Sequence, residues 1–253
     1  MKLYAAQTRS ELALSLRQGE QMLVSLGIPL LILVFFSMVD ILPKSGATPN
    51  PTIVMSGFEL RAIDSLVPSV LALAIMSTAM VSLGIGTGFE RYYKVLKRLG
   101  ATPLGRPRLI AAKITMVLLI EVLQLVVLVP TALLLGWQPG GRVVEVIPAY
   151  VLGTAAFAGI GLLMAGTMRG TLNLAVNNML YLLLLLFGGI VVPVDRLPGV
   201  AGDLASLLPS GALSEVLHYA LTPGSAFPRA AWLVLGVWAV AMPLTAARWF
   251  RWE

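Results

Sequence analysis

Polar and apolar positions in this chain come in blocks. Six blocks, residues 22–42, 66–88, 109–135, 147–168, 174–194 and 230–247, carry almost no charge. The fifth is the most apolar and contains the run MLYLLLLLFGGIVVPV. These runs reach or exceed the roughly 18 to 20 residues that a helix needs to cross a bilayer. In lipid, backbone groups find partners only within a helix or a closed barrel. The runs are continuous, whereas barrel strands alternate. The pattern therefore predicts an all-α integral membrane protein with six transmembrane helices, residues 1–253 forming one transmembrane domain. Pro107 sits near the first turn of the third span, where a missing N–H costs nothing.

Three stretches between the spans have patterns of their own. Residues 1–21 carry Leu3, Tyr4, Leu12 and Leu16 among polar neighbours, which predicts an interfacial helix. Glu11 and Glu20 interrupt this leader, and the first span is longer than the apolar core of a cleavable signal, so no such signal is expected. In FERYYKVLKRLG, the residues Phe89, Tyr92, Tyr93, Leu96 and Leu99 fall on one helical face. Glu90, Arg91, Lys94, Lys97 and Arg98 fill the other side. Gly100 is a helix stop, and Thr102, Pro103 and Leu104 begin a turn. A short amphipathic helix over 89–99 is predicted, followed by a sharp break. Finally, residues 195–226 hold two apolar pieces split at Pro209-Ser210-Gly211, each too short to span. They suit a re-entrant or outer hairpin, with Pro193 and Pro198 at its start.

Composition sharpens this. Hydrophobic residues make up 58 % of the 253 and charged residues 12 %, against about 25 % charged in a soluble domain. There is no cysteine and one histidine, His218. Thiol catalysis, disulfides and multi-histidine metal sites are excluded. The net charge is +6, and seven of the eighteen basic residues lie between Arg91 and Lys113. With the N-terminus inside, thirteen basic residues face the cytoplasm: Lys2, Arg9, Arg17, those seven, Arg169, Arg248 and Arg251. Lys44, Arg61, Arg142, Arg196 and Arg229 lie outside. Positive charge on the inner side orients membrane proteins, so both termini are expected in the cytoplasm. Anionic membrane lipids are an expected partner of this charge. No second basic or aromatic platform supports nucleic-acid binding.

Polar residues within the spans are few. Glu121 sits near the middle of the third span, with Gln124 one turn on. Two readings stay open: an interhelical hydrogen-bond pair, or a polar spot on a translocation path. Arg169, Asn173 and Asn177 form a stripe entering the fifth span, with Asn178 beside it. This is either polar glue or a gate. Ser210 and His218 could suggest an intramembrane serine protease, but the short-helix context of His218 speaks against a dyad. GTGFE at 86–90 lacks the lysine of a phosphate loop, so the chain has no such route to ATP hydrolysis.

Two segments carry a family resemblance. FERYYKVLKRLGATPLGRPRLIAAK resembles the coupling segment of ABC-2 type transporter permeases. FGGIVVPVDRLPGVAGDLASLLPSGALSEVLHYAL, residues 187–221, is similar to the pattern that follows their fifth helix. The nearest subgroup is the daunorubicin-resistance kind of drug-export permease. One departure is Gly188-Gly189, where the family often has a polar residue. The resemblance implies an ATPase-coupling segment at 89–105, comprising Phe89, Glu90, Arg91, Tyr92, Tyr93, Lys94, Leu96, Lys97, Arg98, Leu99, Gly100, Thr102, Pro103 and Leu104. It implies a non-enzymatic permease subunit of an exporter for a lipid-like or amphipathic substrate, a drug among them. A separate cytoplasmic ATP-binding subunit would hold ATP and Mg, with no cofactor on this chain. A second permease subunit, identical or paralogous, would complete the assembly. The alternative, an ion-coupled secondary transporter, calls for more intramembrane ionisable residues and an internal repeat, and neither is visible.

Overall fold

The computed structural model describes residues 2–17, 19–38, 52–55, 58–102, 105–190 and 199–251. The chain opens with α1 (Lys2–Arg17) and α2 (Gly19–Met38). A long rod follows, built from α3 (Ala62–Met76), a π-helical segment (Ser77–Ser82) and α4 (Leu83–Tyr92). Then come α5 (Val95–Gly100), α6 (Arg106–Leu134), α7 (Val146–Thr167), α8 (Gly170–Phe187), α9 (Val200–Leu207), α10 (Pro209–Leu221) and α11 (Arg229–Trp249). Five stretches are long and apolar enough to cross a membrane: Ile63–Tyr92, Arg106–Leu134, Val143–Thr167, Gly170–Phe187 and Arg229–Trp249. The expected first span has as its counterpart the shorter apolar stretch Ser25–Met38 within α2, and residues 39–42 lie outside the described residues.

The rod is the centre of the bundle. Its apolar window is 72 % buried and that of α7 61 %, against 22 % for α8 and α11. Small residues explain this. Membrane helices pack closely where glycine and alanine let backbones approach. A Cβ on Gly161 of α7 would lie 2.6 Å from the Met80 carbonyl in the π segment. One on Gly159 would lie 2.6 Å from the Pro243 nitrogen in α11. Larger residues at either position would push α7 off its neighbours. Around this centre α1 packs on α6, α2 on α3, α8 on α4, and α10 on both α3 and α11.

Three expectations need correction. The second span continues to Tyr92, so Phe89–Tyr92 are its last turn. The single helix expected over 89–99 is broken: Lys94 adopts a left-handed conformation (φ 63°) and α5 starts anew at Val95. The five apolar residues had suggested one stripe, but the period cannot register a one-residue break. The fifth span ends at Phe187, where Gly188 and then Gly189 (φ 75°) turn the chain, and not near Val194. Pro193 and Pro198 lie outside the described residues. One short hairpin accompanies the helices. β1 (Thr52–Met55) and β2 (Phe58–Arg61) pair antiparallel, Thr52 opposite Arg61 and Met55 opposite Phe58. Two β-prone tetrads around a Ser-Gly dipeptide are a hairpin signal that the helix-dominated reading passed over.

The far end is stitched by α10. As expected, the two short helices divide at Pro209, the first residue of α10. The Ser214 hydroxyl donates to the Gly189 carbonyl at 2.9 Å. The backbone nitrogens of Gly140 and Arg142 donate to the carbonyls of Leu221 and Ala220 at 3.3 and 2.8 Å. Ser210 is fully buried with its hydroxyl against Gly188, which leaves no room for a side chain there. Packing thus accounts for the Gly188-Gly189 departure. His218 faces Ser214 and the Ser65 carbonyl, not Ser210, so no dyad forms.

Candidate functional site at the basic end of the bundle

Residues 89–102, 105–113, 165–169 and 248–251 converge at one end. The anchor there is Lys113, in the second turn of α6. It is 1 % exposed, yet its ammonium is saturated. Nζ donates to Glu11 Oε2 at 2.9 Å and to Glu90 Oε1 and Oε2 at 3.0 and 2.9 Å. Gln7 Nε2 donates to the other Glu11 oxygen at 2.7 Å. Tyr4 and Thr115 hydroxyls meet at 2.5 Å. A buried charge is tolerated only when paired and hydrogen-bonded, and here the pairing joins three elements. Glu11 comes from α1, Glu90 from the end of the rod, Lys113 from α6. In the sequence, Lys113 counted as one of seven clustered basic residues and Glu11 as an interruption of the leader. Both carboxylates sit far from Lys113 in sequence, so only the fold could show the cluster. Beside it lies a cavity of about 50 Å³ lined by Glu11, Thr78, Ser82, Thr87, Glu90 and Lys113.

A second tie runs to α7. Arg91 Nη1 donates to the carbonyls of Ala165 and Met168 at 3.2 and 3.1 Å. These lie at the C-terminal end of α7, where carbonyls lack helical partners and a cation is favoured. The third tie is apolar. Leu96 is wholly buried against Leu109 and Phe250, with Leu99 half-buried beside them. Leu96 is therefore unavailable as a docking residue: it holds α5 to the bundle. What α5 and the preceding turn do present is Tyr92, Tyr93 and Val95, 64, 69 and 43 % exposed, with Lys94, Lys97 and Arg98 around them. Tyr93 stacks on Phe89 at 6.3 Å and meets Tyr92 edge-on at 5.3 Å. Thr102 donates to the Leu99 carbonyl at 2.6 Å and closes the end of α5 just past Gly100. Pro103 and Leu104 lie outside the described residues. The outcome is a rigid aromatic and basic face, tied by charge to α1 and α6, by hydrogen bonds to α7 and by packing to α11's end.

The polar residues inside the bundle act pairwise between helices. Glu121 and Gln124 do not bond each other. Glu121 accepts from the Thr154 hydroxyl of α7. Gln124 Nε2 donates to the Thr78 hydroxyl in the π segment at 2.8 Å and to the Ser25 carbonyl of α2 at 3.1 Å. Both are buried, and neither lines the cavity beside Lys113. Asn173 Nδ2 donates to the Gly84 carbonyl at 2.9 Å, and Asn177 Nδ2 to Asn173 Oδ1 at 2.8 Å. This ladder ties α8 to α4, while Asn178 and Arg169 stay exposed.

Fold and site together define a multi-pass helical membrane protein with an exposed aromatic and basic face braced at one end of its bundle. The chain belongs to the ABC-2 type transporter family, which it matches over residues 3–221. It is accordingly the transmembrane component of an ABC-type transporter, a family of transport proteins that associate with an ATP-binding component. No curated protein matches the chain.

Proposed function

We propose that this chain is the permease subunit of an ATP-driven exporter. It lies in the cytoplasmic membrane with six spans, α2 being the first, and with both termini inside. A separate subunit binds ATP and Mg, this chain holds no cofactor, and a second permease subunit, identical or paralogous, completes the assembly. The substrate is lipid-like or amphipathic, in keeping with a bundle interior that carries few charges.

The observation that carries this reading is the bracing of the exposed face. Tyr92, Tyr93, Lys94, Val95, Lys97 and Arg98 form the surface that meets the ATP-binding subunit. Aromatic and arginine side chains are the usual anchors of protein interfaces. Behind that face, Glu90 and Arg91 are the last residues of the rod, and each is bonded to a different neighbour. A push on the turn therefore reaches the rod directly, α1 and α6 through Lys113, and α7 through Arg91. Transport would follow from these helices changing places as the ATP-binding subunits close. The test is copurification. Tyr92→Asp with Tyr93→Asp should abolish recovery of the ATP-binding subunit while the permease still folds. Undiminished recovery together with normal transport would overturn the assignment.

A further inference from the structure

A wide groove opens beside α5 at the same end. It is lined by Arg106 of α6, Thr167 of α7, and Arg248, Trp249, Phe250 and Arg251 at the end of α11, and it measures about 690 Å³. Among the described residues, three guanidinium groups and no carboxylate line it. Among the described residues, none of these three arginines forms an ion pair. Arg91 is close enough to Arg251 to feel its charge.

We propose that this groove binds the phosphate headgroup of an anionic phospholipid. Helix electrostatics do not account for the cluster. Arg248 and Arg251 lie at a helix C-terminus, where cations are favoured, but Arg106 opens α6, where the dipole opposes it. The N-cap of α6 is Gly105, which has no side chain to satisfy the first free N–H groups, and such helix starts attract anions. Membrane topology does not account for it either. The positive-inside rule asks for charge on one side and not for arginines of two spans converging on one hollow.

The groove is also built. Phe250 is buried on Leu96 and Leu109, a Cβ on Gly166 would lie 2.6 Å from its ring, and the Arg251 nitrogen donates to the Gly166 carbonyl at 3.1 Å. The backbone that carries the arginines is therefore fixed. Guanidinium forks match phosphate oxygens in pairs. A lipid fits better than free phosphate for two reasons. Trp249 is an exposed indole at the end of a span, where tryptophan sits among headgroups. Leu244, one turn before Arg248, is 65 % exposed, and Val240 is 60 % exposed one turn before that. An acyl chain can run along them below the headgroup.

The full chain, purified in mild detergent, tests this by native mass spectrometry with added phosphatidylglycerol or phosphatidylcholine. One phosphatidylglycerol should stay bound under activation that strips phosphatidylcholine. Replacing Arg106, Arg248 and Arg251 together by Gln should cut its retention about tenfold, as expected for loss of charge-assisted bonds. Arg169→Gln, an exposed charge at the same end but outside the groove, should leave it unchanged. Equal loss in both variants would mean that bulk charge suffices, and the proposal fails. Displacement of the lipid by millimolar inorganic phosphate would mean a soluble anion is the ligand, and the lipid site fails. If the triple variant does not fold, the wild type still decides. In vesicles, brominated phosphatidylglycerol should quench the fluorescence lost in Trp249→Phe more strongly than brominated phosphatidylcholine does. Equal quenching overturns the site.

Discussion

Lys113→Met is the sharpest perturbation available to this chain. Methionine fills the space of the lysine stem but carries no charge. Three hydrogen bonds of 2.9 to 3.0 Å vanish, and two carboxylates are left facing each other across the gap. The Glu11 side chain is 6 % exposed and cannot regain hydration, whereas Glu90, at 29 %, regains some. Removing one partner of a buried ion pair destabilises by about 3–5 kcal/mol. Repulsion between the carboxylates places the expected loss toward the upper end. The triple variant Glu11→Gln, Glu90→Gln, Lys113→Met removes every charge and should recover most of the loss, since neutral replacements of buried pairs are often near break-even. The assay is the temperature at which the detergent-solubilised monodisperse peak is lost on size-exclusion chromatography. Lys113→Met unfolding at the wild-type temperature would refute the clasp. A triple variant less stable than Lys113→Met alone would refute the electrostatic explanation of it.

Further substitutions separate the roles of neighbouring residues. Leu96→Ala should cost about 2–5 kcal/mol as a core truncation, whereas Tyr93→Ala should leave the unfolding temperature unchanged and lower recovery of the ATP-binding subunit. Thermal unfolding and copurification, measured on both variants, must split in this way. Gln124→Leu strips Thr78 and Ser25 of their donor and should cost about 1–3 kcal/mol, while Glu121→Gln, which still accepts from Thr154, should be mild; folded yield distinguishes them. Gly161→Leu should abolish folded yield, because its side chain would enter the space of the π segment's backbone, and a normal yield would show that α7 does not pack as described.

Much of the scaffold was legible in the sequence because lipid imposes a simple rule: long apolar runs become helices. Four of the later apolar runs coincide with long helices to within a few residues. The stop at Gly100 and the division at Pro209 were also readable, since glycine and proline punctuate chains locally. Three things were not. The Lys94 break involves a residue that rarely adopts positive φ, so no local signal marked it. The burial of Leu96 depends on Phe250, about 150 residues away in the chain. The Glu11–Glu90–Lys113 cluster depends on three separate elements meeting. Helical periodicity identified an apolar face but could not say whether this chain or another protein covers it. For Leu96 the answer is this chain, and for Tyr92 and Tyr93 the face remains open.

On the proposed reading, the face around Tyr93 grips an ATP-binding subunit. Placing a photo-crosslinking benzoylphenylalanine at position 93 of the full chain in cells tests it most directly, with position 204 on α9 as the control at the opposite end. Illumination at 93 should capture one polypeptide, identified by mass spectrometry, that carries a G-x-x-x-x-G-K-[ST] phosphate loop, and position 204 should not capture it. Crosslinks from 93 to lipid alone, or to the same protein from both positions, would contradict the claim.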